Sequence, residues 1–124
     1  MQYSFKIDGQ VPSKSNCYKI ITIAGHASLA KTNAVKEFEK IFFLQCPFRS
    51  IKKTEPLIKG YFAADINVFY ENMRPDVDNA AKVLLDCMQT CGLIKNDRNC
   101  VDLHIKKFVD KTNPRIEILV EDII

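Results

Sequence analysis

Apolar and polar positions alternate from the first residues of the chain. Tyr3, Phe5 and Ile7 interleave with Gln2, Ser4, Lys6 and Asp8, the two-residue period of a strand with one buried face. Asp8-Gly9 predicts a turn, and a polar loop follows at Val11-Pro12-Ser13-Lys14-Ser15-Asn16. Residues 18–23 predict a second, short strand that Gly25 breaks. From Ser28 to Gln45 the period lengthens: Ala30, Ala34, Phe38, Ile41 and Phe42 recur at spacings of three and four, which predicts a helix with Ser28 as N-cap and Pro47 marking its end. Residues 49–59 form a basic connection ending at Gly60.

The clearest strand runs from Phe62 to Glu71, with Ala64, Ile66, Val68 and Tyr70 on one face and Asp65, Asn67, Phe69 and Glu71 on the other. Pro75 biases Arg74 away from helical dihedrals, so a helix begins no earlier than Asp76. Asp78 is the expected N-cap of a helix that runs to Cys91 and stops at Gly92, with Ala81, Leu84, Leu85, Met88 and Cys91 as its buried stripe. A tight turn is expected at residues 96–99. Val101, Leu103 and Ile105 predict a strand, residues 112–114 a turn, and Ile116, Ile118 and Val120 a closing strand that makes a hairpin with the one before it. The order ββαβαββ describes an α+β fold: two helices on one small mixed sheet of about five strands, in a single domain over residues 1–124.

Composition excludes several classes. Apolar residues make up 47% of the 124 and charged residues 27%, ordinary for a globular chain and unlike a disordered or fibrous one. The longest apolar clusters, such as Ile41-Phe42-Phe43-Leu44, are far short of the ~20 residues that cross a bilayer, and the N-terminus has no signal-peptide pattern, so a cytoplasmic protein is expected. Five cysteines without a CxxC pair, and two histidines without zinc-site spacing, are expected to be reduced thiols and plain side chains. Charge divides unevenly: residues 1–60 carry ten Lys/Arg against four acids, and residues 61–124 carry eight against eleven. A basic half suits phosphates, and an acidic half suits cations.

The chemistry concentrates in Arg74-Pro75-Asp76-Val77-Asp78-Asn79-Ala80-Ala81-Lys82 and, one helix later, Asn96-Asp97. Acids two residues apart repel unless something positive compensates. Asp76 and Asp78 in an extended segment project the same way, Lys82 follows Asp78 by one helical turn, and Asp97 is a further acid beyond the helix. Phosphodiester cleavage asks for this chemistry: carboxylates to hold one or two Mg²⁺ ions, and a cation for charge developing on the phosphate. A plainer reading keeps Asp78 as a helix cap and Lys82 as its i, i+4 partner, worth a few tenths of a kcal/mol. Spacing alone leaves both open.

The run Arg74-Pro75-Asp76-Val77-Asp78-Asn79 with Lys82, then Leu85-Asp86, Cys91-Gly92-Leu93-Ile94, Asn96-Asp97 and Val101-Asp102, resembles the RusA family of Holliday-junction resolvases in register over residues 74–107. The early loop from Val11 to Asn16 is similar to that family's proline-serine-asparagine loop. The resemblance implies a homodimeric, Mg²⁺-dependent endonuclease, with Mn²⁺ able to substitute, that makes paired symmetrical nicks in four-way junction DNA during recombination and repair. It implies Asp76, Asp78 and Asp97 as metal-binding acids and Lys82 as the catalytic lysine. Lys14, Asn16, Arg74, Lys52 and Lys53 are the expected DNA contacts, with Lys95 a further candidate. The chain departs from the family in having Asn96 where the family usually shows the first of two adjacent acids. The competing readings are a junction-binding protein that does not cut and another Mg²⁺ phosphoesterase.

Overall fold

The computed structural model describes residues 1–13, 17–50 and 55–123. The expected DNA contacts Lys14, Asn16, Lys52 and Lys53 lie outside them. Six strands form two sheets and two helices accompany them, so the α+β class holds with one strand more than expected. The main sheet has the order β1-β6-β4-β5, and β2-β3 stand apart as a two-stranded ribbon.

The extra strand lies where helical periodicity was expected to begin. Strand β2 (Tyr18–Ile23) pairs with β3 (His26–Lys31), Ile23 opposite His26 and Tyr18 opposite Lys31. Between them stand only Ala24 and Gly25, at φ 51° and 80°. A two-residue turn with both φ positive matches the twist of the flanking strands. Helix α1 (Asn33–Gln45) therefore starts after residue 31, and its N-cap is Thr32, accepting from the Val35 N–H, instead of Ser28. Its buried face is Val35, Phe38 and Phe42; Ala34 and Ile41 are exposed. At its end the Gln45 amide exchanges hydrogen bonds with the backbone of Asp8, tying α1 to the end of β1 (Gln2–Asp8).

Strand β4 (Phe62–Tyr70) is bonded on both sides. Its alternation is as expected: Phe62, Ala64, Ile66, Val68 and Tyr70 are buried under the helices. Helix α2 (Val77–Thr90) carries the chain back along the sheet, so β5 (Cys100–Val109) runs parallel to β4, and β6 (Arg115–Asp122) returns antiparallel on β4's other side. The last two strands are thus not a hairpin. Residues 110–114 step across the end of β4, where the Asp110 N–H donates to the Tyr70 carbonyl and Arg115 pairs with Asp110 at 2.8 Å. That guanidinium holds the Asp110 carboxyl below its ordinary range.

Helix α2 also begins differently. Asp76, extended at φ −86°, ψ 138°, takes the N-cap position without a side-chain cap bond, and Asp78 falls inside the first turn. The buried stripe is turned accordingly. Ala80, Val83, Leu84, Cys87 and Met88 are buried, while Ala81 and Leu85 are only half-buried. The stop at Gly92 is as expected: Leu93 N–H reaches the Met88 carbonyl and Gly92 N–H that of Gln89, a Schellman closure with Gly92 at φ 84°. All five cysteines are free thiols, and four are buried. The Cys91 thiol lies 3.9 Å from Cys46, a contact that draws the Cys46 thiol down to about 7.

Candidate active site

The first turn of α2 gathers most of the chemistry. Asp76, Asp78, Lys82 and Arg74 are all exposed there. Pro75 and the extended Asp76 bring the chain out of β4 and into the helix, leaving Asp76 just outside it and Asp78 on its first turn. The Asp78 carboxylate accepts from the Asn79 N–H at 3.0 Å, a helix-start amide with no partner inside the helix. The positive end of the helix favours both acids.

Asn79, the residue after Asp78, is buried and points the other way. Its Nδ2 donates to the Pro12 carbonyl at 3.1 Å and meets the Cys17 sulfur at 3.5 Å. The Cys17 thiol in turn donates to the Ser13 carbonyl at 3.1 Å. Gln10 accepts from the Glu71 N–H at 2.8 Å. The loop after β1 is thereby bound to the segment between β4 and α2. Lys107 adds a clamp from β5, donating to the carbonyls of Met73 and Pro75 at 3.0 and 2.9 Å.

Lys82 stands one turn beyond Asp78 with its ammonium 5.0 Å from the centre of the Tyr18 ring. Among the described residues it has no carboxylate partner, so the i, i+4 ion pair of the plainer reading is not formed. Asp76, Asp78 and Asp97 likewise have no Lys or Arg within ion-pair distance among the described residues. Asp86 is engaged elsewhere, joined with Glu39 to Lys31 at 3.0 Å each, and the pairing raises the Lys31 pKa. Beneath the acids lies Tyr70, fully buried, with a hydroxyl that has no hydrogen-bond partner among the described residues. Burial, with nearby Cys17 and Asp76, pushes the phenol up to about 12.

The chemistry of Asp76 and Asp78 fits a hard divalent cation: two carboxylates, no competing counter-ion among the described residues, and solvent access for water ligands. The third acid does not join them within the chain. Asp97 opens a short 3₁₀ turn (Asp97–Asn99), where its N–H donates to Gln89 Oε1 at 2.9 Å, near the far end of α2. From Asp78 to Gln89 is about 16 Å of helix at 1.5 Å per residue. Among the described residues no group of three His, Cys, Asp or Glu is drawn together closely enough to hold a metal. Asn96 is used locally, its side chain accepting from the Arg98 N–H at 3.0 Å to cap that turn. Lys95 is exposed at the same end.

Three residues of this site were missed in the sequence. Asn79 stood in the quoted motif without a role, Tyr70 was read only as a core position, and nothing local links Tyr18 to a lysine 64 residues later.

Among the described residues no helix is long and apolar enough to cross a membrane. No curated protein matches the chain. The family model described as Endodeoxyribonuclease RusA matches residues 10–121 of the 124, a span that takes in the loop after β1, both helices and the acids at both ends of α2. The chain therefore belongs to the RusA family of endodeoxyribonucleases, the Holliday-junction resolvases.

Proposed function

We propose that this resolvase is a Mg²⁺-dependent homodimer of the cytoplasm, with Mn²⁺ able to substitute, that cuts four-way DNA junctions by paired symmetrical nicks. Asp76, Asp78, Lys82 and Asp97 form its catalytic set. The observation that carries this reading is the exposed pair Asp76 and Asp78, without a cationic partner among the described residues, beside an equally unpaired Lys82.

Asp76 and Asp78 would hold the cation, which supplies charge neutralisation at the phosphate and a water of lowered pKa. The chain's own residues set the geometry. Asn79 anchors the first turn of α2 to Pro12, so both carboxylates stand on a fixed base. The face of Tyr18 holds the Lys82 ammonium extended, free to meet a non-bridging phosphate oxygen as negative charge grows there. Arg74, Lys14, Asn16, Lys52, Lys53 and Lys95 are the DNA contacts, acting mainly on backbone phosphates, which position without reading sequence. A two-fold junction and a two-fold dimer match in symmetry, so two sites face opposing strands.

The test is a labelled four-way junction incubated with the protein, with and without Mg²⁺. Symmetrical nicks in the wild type that vanish for Asp78→Asn and Lys82→Ala are expected. Junction binding without nicks in either Mg²⁺ or Mn²⁺ would establish instead a binding protein, a reading favoured by Asn96 standing where the family usually has an acid.

A further inference from the structure

The acids attributed to one site lie at opposite ends of the structure. Asp76 and Asp78 follow the Tyr70 end of β4, and Asp97 precedes Cys100, which pairs with Phe62 at the other end. Nine residues of β4 separate the two ends, roughly 26 Å at 3.3 Å per residue. A parallel strand pair joined by one helix imposes this: the connection leaves at one end of the sheet and must re-enter at the other.

Strand β5 meanwhile has one hydrogen-bonding edge without a neighbour, since among the described residues only β4 pairs with it. Apolar side chains along it are exposed: Val101 at 55% and Val109 at 48%, with Leu103 and Phe108 also exposed. An open edge with apolar exposure is a template for another strand, and a solitary chain ordinarily blunts it.

We propose that a second copy of this chain docks along β5, β5 against β5 in antiparallel register about a two-fold axis, and that the partner's Asp97 completes the site made by Asp76 and Asp78. The second half of this proposal rests on the metal-site reading above, and the first does not. Register follows from charge. On the face away from the helices β5 presents Asp102, His104 and Lys106 in alternation, beside Ala63, Asp65 and Asn67 of β4. With His104 opposite the partner's His104, Asp102 lies opposite the partner's Lys106, and the symmetry makes that pair twice. Sliding by two residues would set Asp102 against the partner's Phe108 and lose both pairs. Opposite charges directly across an antiparallel pair stabilise it.

The same register places Lys107 opposite the partner's Val101. Lys107 is the residue that holds the carbonyls of Met73 and Pro75, the backbone leading into Asp76. The partner's Asp97 stands four residues before the partner's Val101, so the two-fold brings it to the Asp76 end. The topology that separates the acids within one chain is what joins them between two.

Three measurements decide it. His104→Cys, at the two-fold, is expected to give a disulfide-linked dimer under mild oxidation on a non-reducing gel, beyond the level of the wild type with its own five cysteines. Asp102→Lys is expected to shift sedimentation toward monomer, and adding Lys106→Asp to restore the dimer. No crosslink, or a dimer indifferent to Asp102→Lys, overturns the interface. A purified heterodimer of Asp78→Asn with Asp97→Asn, each homodimer being inactive, is expected to regain about half the wild-type nicking and half the Mn²⁺ binding read by electron paramagnetic resonance. A heterodimer as dead as its parents means that each site is built within one chain and overturns the shared site. If the wild type itself cuts no junction, the proposed function fails, while crosslinking, sedimentation and Mn²⁺ binding still judge the interface and the shared site.

Discussion

Asn79 Nδ2 donates to the Pro12 carbonyl across 3.1 Å, joining residues 67 apart and fixing the first turn of α2 to the loop after β1. One face of that turn thus packs inward through Asn79 while the adjacent Asp78 looks outward. Structural anchor and candidate ligand are consecutive residues.

Removing this anchor leaves a part-buried carbonyl without its donor. Asn79→Ala is expected to cost about 1–3 kcal/mol in urea or guanidinium unfolding. It is also expected to lower junction cleavage under conditions where the variant remains folded, because Asp76 and Asp78 lose their fixed base.

Lys82 separates the other way. Its ammonium makes a contact with the Tyr18 face and no ion pair among the described residues, so Lys82→Ala is expected to change unfolding free energy by no more than about 1 kcal/mol. Single-turnover junction cleavage is expected to fall by about 10²–10³-fold. Tyr18→Phe, which keeps the ring face, is expected to cut like the wild type.

Gly92 closes α2 at φ 84°, and a Cβ there would stand 2.8 Å from the Ser50 Cβ and 3.1 Å from the Ser50 carbonyl. Gly92→Ala therefore meets both a left-handed backbone and a neighbour that is itself held, since Ser50 N–H donates to Cys91 O at 2.8 Å. A loss of about 2 kcal/mol or more is expected in denaturant unfolding.

Tyr70 gives a pH dependence at the alkaline end. Its phenol titrates at about 12 in the folded protein against 10.0 ordinarily, so between those values the unfolded chain releases the proton and the folded one keeps it. Stability is accordingly full below pH 10 and is expected to fall as pH rises from 10 toward 12. Near-ultraviolet phenolate absorbance is expected to show one of the four tyrosines ionising last, and Tyr70→Phe to remove that step and flatten the stability curve.

Local chemistry carried much of this fold in the sequence. The alternation around Ile66 named the buried face of β4, Pro75 limited where α2 could begin, and Gly92 ended it, because each depends on backbone dihedrals or side-chain direction within a few residues. Strand β3 was hidden. Ala27-Ser28-Leu29-Ala30 reads equally well as helix, and Ala24-Gly25 lacks the Asn-Gly or Asp-Gly signature of a two-residue hairpin turn. Ser28 accordingly passed for a cap that Thr32 provides.

The sequence by itself determined which residues bear the chemistry: the acids Asp76, Asp78 and Asp97, the lysine one turn after Asp78, and the family to which their pattern points. Only the tertiary structure decided where they stand. Periodicity reports which face of a strand is buried and says nothing about which strand lies beside it. The placement of β5 parallel to β4, with β6 inserted on the other side, is set by packing among residues far apart in the chain. That placement sends Asp97 to the opposite end of the sheet from Asp76 and leaves the edge of β5 open.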